Sequence, residues 1–167
     1  FVTRQIRENG ISYNIYSEAK DSQRPWDLDL LPQMVDAGEW RALASGIAQR
    51  ASLLNSVLGD LYGPQQLLRT GMLPAELIFG HNNFLWPCQG IKVPGGTFLH
   101  VYAADLARAP NGAWWVVADR AQAPSGAGYA LENRQIISRA FPDLYRQLQV
   151  TPLDAFFRAL QACLQRL

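Results

Sequence analysis

Lysine is nearly missing from this chain. Of 15 basic residues among 167, only Lys20 and Lys92 are lysine and the other thirteen are arginine. Arginine suits fixed, forked contacts to carboxylates and phosphates. With 14 acidic residues the net charge is only +1, so no broad positive field favours nucleic acid. Cysteine is as scarce: Cys88 and Cys163 stand far apart without metal-ligand spacing. That excludes a disulfide framework and reads as a reduced pair in a cytoplasmic protein. No run of eighteen apolar residues occurs, so no membrane-spanning helix is expected, and no signal peptide is visible. Gly95-Gly96 is too sparse for a dinucleotide or Walker-type phosphate loop. The two histidines, His81 and His100, have no nucleophile beside them and read as structural or surface residues. Internal repeats and low-complexity tracts are absent.

What is present is globular. Hydrophobic residues make up 49% and charged ones 17%, and a domain of this size buries roughly 70% of the surface its unfolded chain exposes. The expectation is one domain over residues 1–167. The chain begins without methionine and ends at Leu167 within an apparent helix, which reads as a piece of a larger protein.

Phe1 to Arg7 suits a short helix or a strand. After the Asn9-Gly10 turn signal, Ile11, Tyr13 and Ile15 alternate with polar residues as in a strand. Lys20 to Arg24 reads as a surface loop, and Trp26 as an anchor for the loop that follows. Residues 33–61 carry the clearest helix: Trp40, Leu43, Ile47, Ala51, Leu54, Val57, Leu58 and Leu61 recur at helical steps. Trp40, Leu54 and Leu58 are expected to be buried. Arg50 and Asp60 fall near that stripe and call for partners, because an unpaired buried charge is costly. Gly63-Pro64 stops the helix. Short elements are expected at 65–69 and 74–79, loops at 80–98, a strand or helix start from Tyr129 to Arg139, and helices over 143–149 and 153–167.

The organising stretch is 99–134. Two apolar runs flank Pro110-Asn111-Gly112, a hairpin signal. Asp105 closes the first run and Asp119 the second, and a flexible glycine-rich loop, Pro124-Ser125-Gly126-Ala127-Gly128, is expected to follow. If Pro110-Asn111-Gly112 is a three-residue loop, Ala109 pairs with Ala113, Asp105 faces Val117, and Asp119 lies on the same face one diagonal step away. A two-residue Asn-Gly loop puts the carboxylates on opposite faces. Proline, asparagine and a left-handed glycine favour the three-residue loop. Charged strand ends that only meet solvent would look the same in the sequence.

YAADLAR and NGAWWVVADRAQAPSGAGYALENR, with NGISYNIY, RPWDLDLLP, EWRALASGIAQRASLLNSVLGDLYGPQQLL and MLPAELI before them, resemble the circularly permuted ATP-grasp proteins, relatives of glutathionylspermidine synthase. The resemblance extends to about Tyr145. The mix of elements reads as an α/β, α+β-layered piece, a small, mostly antiparallel sheet with a central hairpin on which the helices of 33–61 and 143–167 pack, and the resemblance makes it a fragment of that fold. It implies an ATP- and Mg2+-dependent carboxylate–amine ligase acting through an acyl phosphate. The substrates are then a small carboxylate and an amine or peptide, and the remaining ATP-grasp portion of the same chain is the partner. By that resemblance Asp105 and Asp119 fall at magnesium-binding positions. Beside them along the chain, Ser125, Gly126 and Gly128 offer donors to an anionic oxygen, and Arg120 and Arg134 offer guanidinium groups to a carboxylate or phosphate. Asp119-Arg120-Ala121 lacks the asparagine of the usual acid-x-Asn pattern, which leaves open a non-catalytic binding or scaffold domain. The fragment by itself is expected to be inactive.

Overall fold

Val2 and Ile6, four residues apart, share one face of the first helix, α1 (Val2–Glu8), and both are buried. The computed structural model describes residues 2–14 and 23–166. Its elements follow as β1 (Ser12–Asn14), β2 (Gln23–Pro25), α2 (Ala37–Leu61), α3 (Gln66–Arg69), α4 (Ala75–Phe79), β3 (Ala103–Arg108), β4 (Trp114–Arg120), α5 (Ala127–Ala140), α6 (Pro142–Gln147) and α7 (Asp154–Leu164). Short 3-10 turns occupy Trp86–Cys88 and Pro94–Gly96. This is an α+β fragment, but its strands form two separate two-stranded antiparallel sheets, β1–β2 and β3–β4, instead of one sheet. Among the described residues no helix is long and apolar enough to cross a membrane.

The chain divides into two compact units. The first takes residues 1–34 and 125–164, the second 35–124 with 165–167. The helices after residue 142 therefore group with the first unit, while the hairpin expected to support them belongs to the second.

In the first unit Val2, Ile6 and Ile136 form the core, with Ile11, Trp26, Leu28 and Ala140 packed on it. Trp26 is the anchor its position suggested. Its ring stacks on Tyr129 at 4.4 Å, and its indole N–H donates to Asn133 Oδ1 at 2.9 Å. Tyr129 in turn donates to the Ser12 carbonyl at 2.7 Å, which ties α5 to β1. The loop expected at Lys20 to Arg24 is a strand from Gln23, paired through Arg24 to Tyr13. Lys20 to Ser22, and Ile15, lie outside the described residues. Tyr129 to Arg139 is helical throughout.

In the second unit Asp36 caps α2, its carboxylate accepting the Gly38 and Glu39 amides at 2.7 and 2.9 Å. Those backbone donors hold the Asp36 carboxyl below its ordinary value, as a helix start favours the anion. At the other end the Gly90 amide donates to the Tyr62 carbonyl at 2.8 Å, and the Gln89 side chain to the Gly63 carbonyl at 3.0 Å. Asp60, singled out as needing a partner, accepts the first amides of α3, from Gln66 and Leu67, both at 2.9 Å. Tyr62, Phe79, Phe84, Trp86 and Phe98 stack on the end of the helix, Tyr62 on Phe84 at 4.8 Å and Phe79 on Trp86 at 4.8 Å. They order the irregular stretch 80–98, whose aromatics have no period for a sequence reading to follow. Leu61 is buried, Leu54 and Leu58 are half-buried, and Trp40 is 51% exposed, against expectation.

Gly46 sits inside α2, and a Cβ there meets nothing within 4 Å. A mid-helix glycine loses more chain entropy on folding than alanine does. Gly46→Ala is therefore expected to stabilise the protein by about 0.5–1 kcal/mol, read as a raised midpoint in denaturant unfolding. A lowered midpoint would mean that α2 is not regular at this position.

Candidate functional site

The turn of the hairpin is the three-residue loop. The Ala109 amide donates to the Ala113 carbonyl at 2.8 Å, and the Gly112 amide to the Ala109 carbonyl at 2.8 Å. Gly112 is left-handed at φ 84°, and Asn111 Oδ1 accepts the Ala113 amide at 3.1 Å. The pairing starts as expected, with Arg108 opposite Trp114, Ala107 opposite Trp115 and Leu106 opposite Val116. It then slips. Asp105 lies opposite Ala118 and Asp119 opposite Ala104, which leaves Val117 as an extra residue.

That bulge corrects the sequence reading. Directly opposed residues share a face, and neighbours along a strand alternate. Asp105 therefore shares a face with Ala118, Asp119 shares the other with Ala104, and the two carboxylates point to opposite sides of the sheet. They cannot share a cation in this hairpin.

Each carboxylate has an arginine instead. On the face toward α2, Arg50 grips Asp119 with two parallel bonds, Nε to Oδ1 and Nη2 to Oδ2, both 2.6 Å. The Tyr102 hydroxyl donates to the same Oδ1. On the other face Arg120 Nε donates to both oxygens of Asp105 at 3.0 Å, and Nη2 to Oδ2 at 2.7 Å. Arg50, and after it Tyr102, hold the Asp119 carboxyl down at about 2, and the bond to Asp119 raises the Arg50 guanidinium. Partial burial first, and then the bond to Asp119, raise the Tyr102 hydroxyl. Arg120 lowers Asp105 in the same way and is itself raised. Because Asp119 sits below its ordinary 3.8, its contribution to stability is complete above that value and is lost only as pH falls through about 2.

A second polar contact joins α2 to the hairpin near the turn. Glu39 accepts the Trp114 indole N–H at 2.7 Å and pairs with Arg108 at 3.0 Å, whose guanidinium lies 5.6 Å over the Trp114 ring. Between this contact and the Arg50–Asp119 pair lies an apolar groove of about 760 Å³, walled by Ala42, Leu43, Gly46 and Ile47 from the helix and Leu106 and Val116 from the hairpin.

The remaining candidates belong to the other unit. Ser125 precedes α5, Gly126 is its left-handed N-cap at φ 111°, and Gly128 stands in its first turn. The expected glycine loop thus holds from Pro124 to Gly126 and then becomes the start of a helix, whose first amides have no partner within the helix. Arg134 is half-buried on α5, and no acid pairs with it among the described residues.

An ATP-grasp reading implies ATP and magnesium. The start of α5 suits a phosphate in general terms. The hairpin aspartates do not suit magnesium, which requires near-octahedral oxygens. Both oxygens of Asp119 carry donors, and a positive guanidinium lies against them. Among the described residues no three His, Cys, Asp or Glu side chains gather into a site. Sequence reasoning missed Tyr102 altogether and named Arg50 only as a charge in need of a partner. That charge beside an apolar stripe was the signal that Arg50 needs an acid, and nothing in the sequence tied it to Asp119.

The description "Circularly permuted ATP-grasp type 2" matches residues 32–167. The chain belongs to this family. Among similar proteins, an uncharacterized protein of Mycobacterium tuberculosis H37Rv is 40% identical over 167 aligned residues, which cover 95% of this chain and 19% of the relative. An uncharacterized protein of Synechocystis is 35% identical over 147 residues, 88% of this chain and 31% of the relative. A third, from Mycobacterium leprae, is 35% identical across 93% of this chain and 27% of its own length. This ATP-grasp chain therefore spans a fifth to a third of the relatives it matches.

Proposed function

We propose that this chain is one part of an ATP- and magnesium-dependent carboxylate–amine ligase of the glutathionylspermidine synthase-like kind, and that its substrates are a small carboxylate and an amine or peptide. The observation that carries the reading is the family match over residues 32–167. In such a reaction a carboxylate oxygen takes the terminal phosphoryl group of ATP and releases ADP. The amine nitrogen then attacks the acyl carbon, the bond from that carbon to the phosphate oxygen breaks, and phosphate and a proton from the nitrogen are released. Within this chain the amides at Gly126 and Gly128 with the Ser125 hydroxyl are the proposed phosphate contacts. Arg134 is the stronger of the two arginine candidates for a substrate anion, because Arg120 is committed to Asp105.

A second reading has a specific observation behind it. Both hairpin acids are engaged by arginine, which favours a scaffold role for this part of the protein, with the chemistry carried by other residues. Phosphate release by the full-length protein is the test, with ATP and magnesium against a panel of carboxylates, amines and small peptides. The ligase reading expects release only when both a carboxylate and an amine are present. Release that ignores both substrates, or none with any pair, refutes it.

A further inference from the structure

We infer that Arg50, Asp119 and Tyr102 form a staple that fastens β4 to α2, and that Asp119 is not a metal ligand of this protein. Three observations carry this. First, the bulge at Val117 sends Asp119 to the face that meets α2 and Asp105 to the opposite face, so neither acid has the other beside it. Second, three donors occupy the Asp119 carboxylate: the guanidinium takes both oxygens at 2.6 Å and the Tyr102 hydroxyl takes Oδ1 again. A cation placed there would displace a forked, charge-assisted pair and meet the repulsion of the freed guanidinium. Third, the pair stands where the fold needs a fastening. Helix and hairpin face each other across the apolar groove and are bridged by side chains at Glu39 and at Arg50. Those positions lie eleven residues apart on α2, roughly 16 Å at 1.5 Å per residue. Two bridges so spaced hold the hairpin alongside the helix, where one alone would let it pivot. The metal-binding acids of the protein are accordingly to be sought outside this hairpin.

The experiment uses the full-length protein and two readouts that do not depend on ligase turnover, so its outcome is separate from that of the proposed function. Arg50→Met, Asp119→Asn and the double variant are compared by thermal midpoint, and Mn2+ affinity is measured by electron paramagnetic resonance with and without ATP. A staple makes the two residues one unit. The double variant is then expected to melt no lower than the worse single variant. Asp119→Asn is expected to keep Mn2+ affinity within about threefold of the parent, whereas losing a metal's coordination costs tenfold or more. Additive midpoint losses overturn the inference, and so does a greater than threefold loss of Mn2+ affinity in Asp119→Asn. If the parent binds no Mn2+, the midpoint comparison decides alone. If Asp119→Asn does not fold, Arg50→Met takes its place in the metal titration, with unchanged affinity expected and a tighter one, from an Asp119 freed to hold the ion, overturning the inference.

Discussion

Ile136→Ala is expected to remove about 2–5 kcal/mol of stability, the range for a large aliphatic residue cut back inside a packed core. Ile136 is the one fully enclosed side chain among the described residues, at 0% exposure. It meets Val2 and Ile6 of α1, with Ile11, Trp26, Leu28 and Ala140 around them. Residues more than a hundred positions apart in sequence thus converge on one point. Ile136→Val removes a single methylene and is expected to cost about 0.5–1.5 kcal/mol. Denaturant unfolding of both variants checks the pair. A loss below about 1 kcal/mol for the alanine variant would mean that the site collapses around the gap and that α1 is not docked as described.

The second large effect belongs to Asn55. Its Oδ1 accepts the amides of Phe98 and Leu99 at 2.8 and 3.0 Å, and its Nδ2 donates to the Gly96 carbonyl at 3.1 Å. One side chain on α2 thus satisfies three backbone groups of the loop that leads into β3. Asn55→Ala leaves all three without it. An unsatisfied buried group costs about 1–3 kcal/mol. Because this site is only half-buried, water restores part of that, and a total of about 2–4 kcal/mol is expected. Asn55→Asp keeps the two acceptor contacts and faces a carbonyl with a carboxylate, so it should lie between parent and alanine variant. Amide hydrogen exchange at Phe98 and Leu99 is the direct check: in Asn55→Ala both should exchange faster while α2 itself stays protected. Unchanged exchange there would remove Asn55 from the support of the loop.

What could be read in advance followed from local chemistry. The apolar steps along α2 and the Gly63-Pro64 stop mark a helix that ends at Leu61, and Pro110-Asn111-Gly112 has the residues its loop geometry demands. The misreadings were of another kind. Trp40 falls to the side of the helix face that meets the hairpin, a face set by Glu39, Leu43 and Arg50, and sequence period alone does not say which edge of a wide stripe is covered. The segment at Arg24 has too few apolar residues to announce a strand and exists through pairing with β1. The glycines after Pro124 suggest a mobile loop until Gly126 is seen as the cap of α5. The site was the least legible part, because its logic is long-range: Arg50 and Asp119 are 69 positions apart.

The extra residue at Val117 turns the hairpin into a counting problem. A strand has only two sides, so in a regular ladder inserting or deleting one residue exchanges inside for outside for everything beyond it, whereas a bulge absorbs the extra residue and keeps the faces. In a relative of the same length whose ladder ran without the bulge, the aspartate would fall opposite the position of Ala103 and project to the other side, and the arginine after it would take its place against the helix. Two aligned sequences can therefore agree at every letter around Asp119 and still present opposite charges to α2, so the spacing from Gly112 to the acid and the bulge that absorbs one residue of it must both be matched before any role is carried from one member of the family to another.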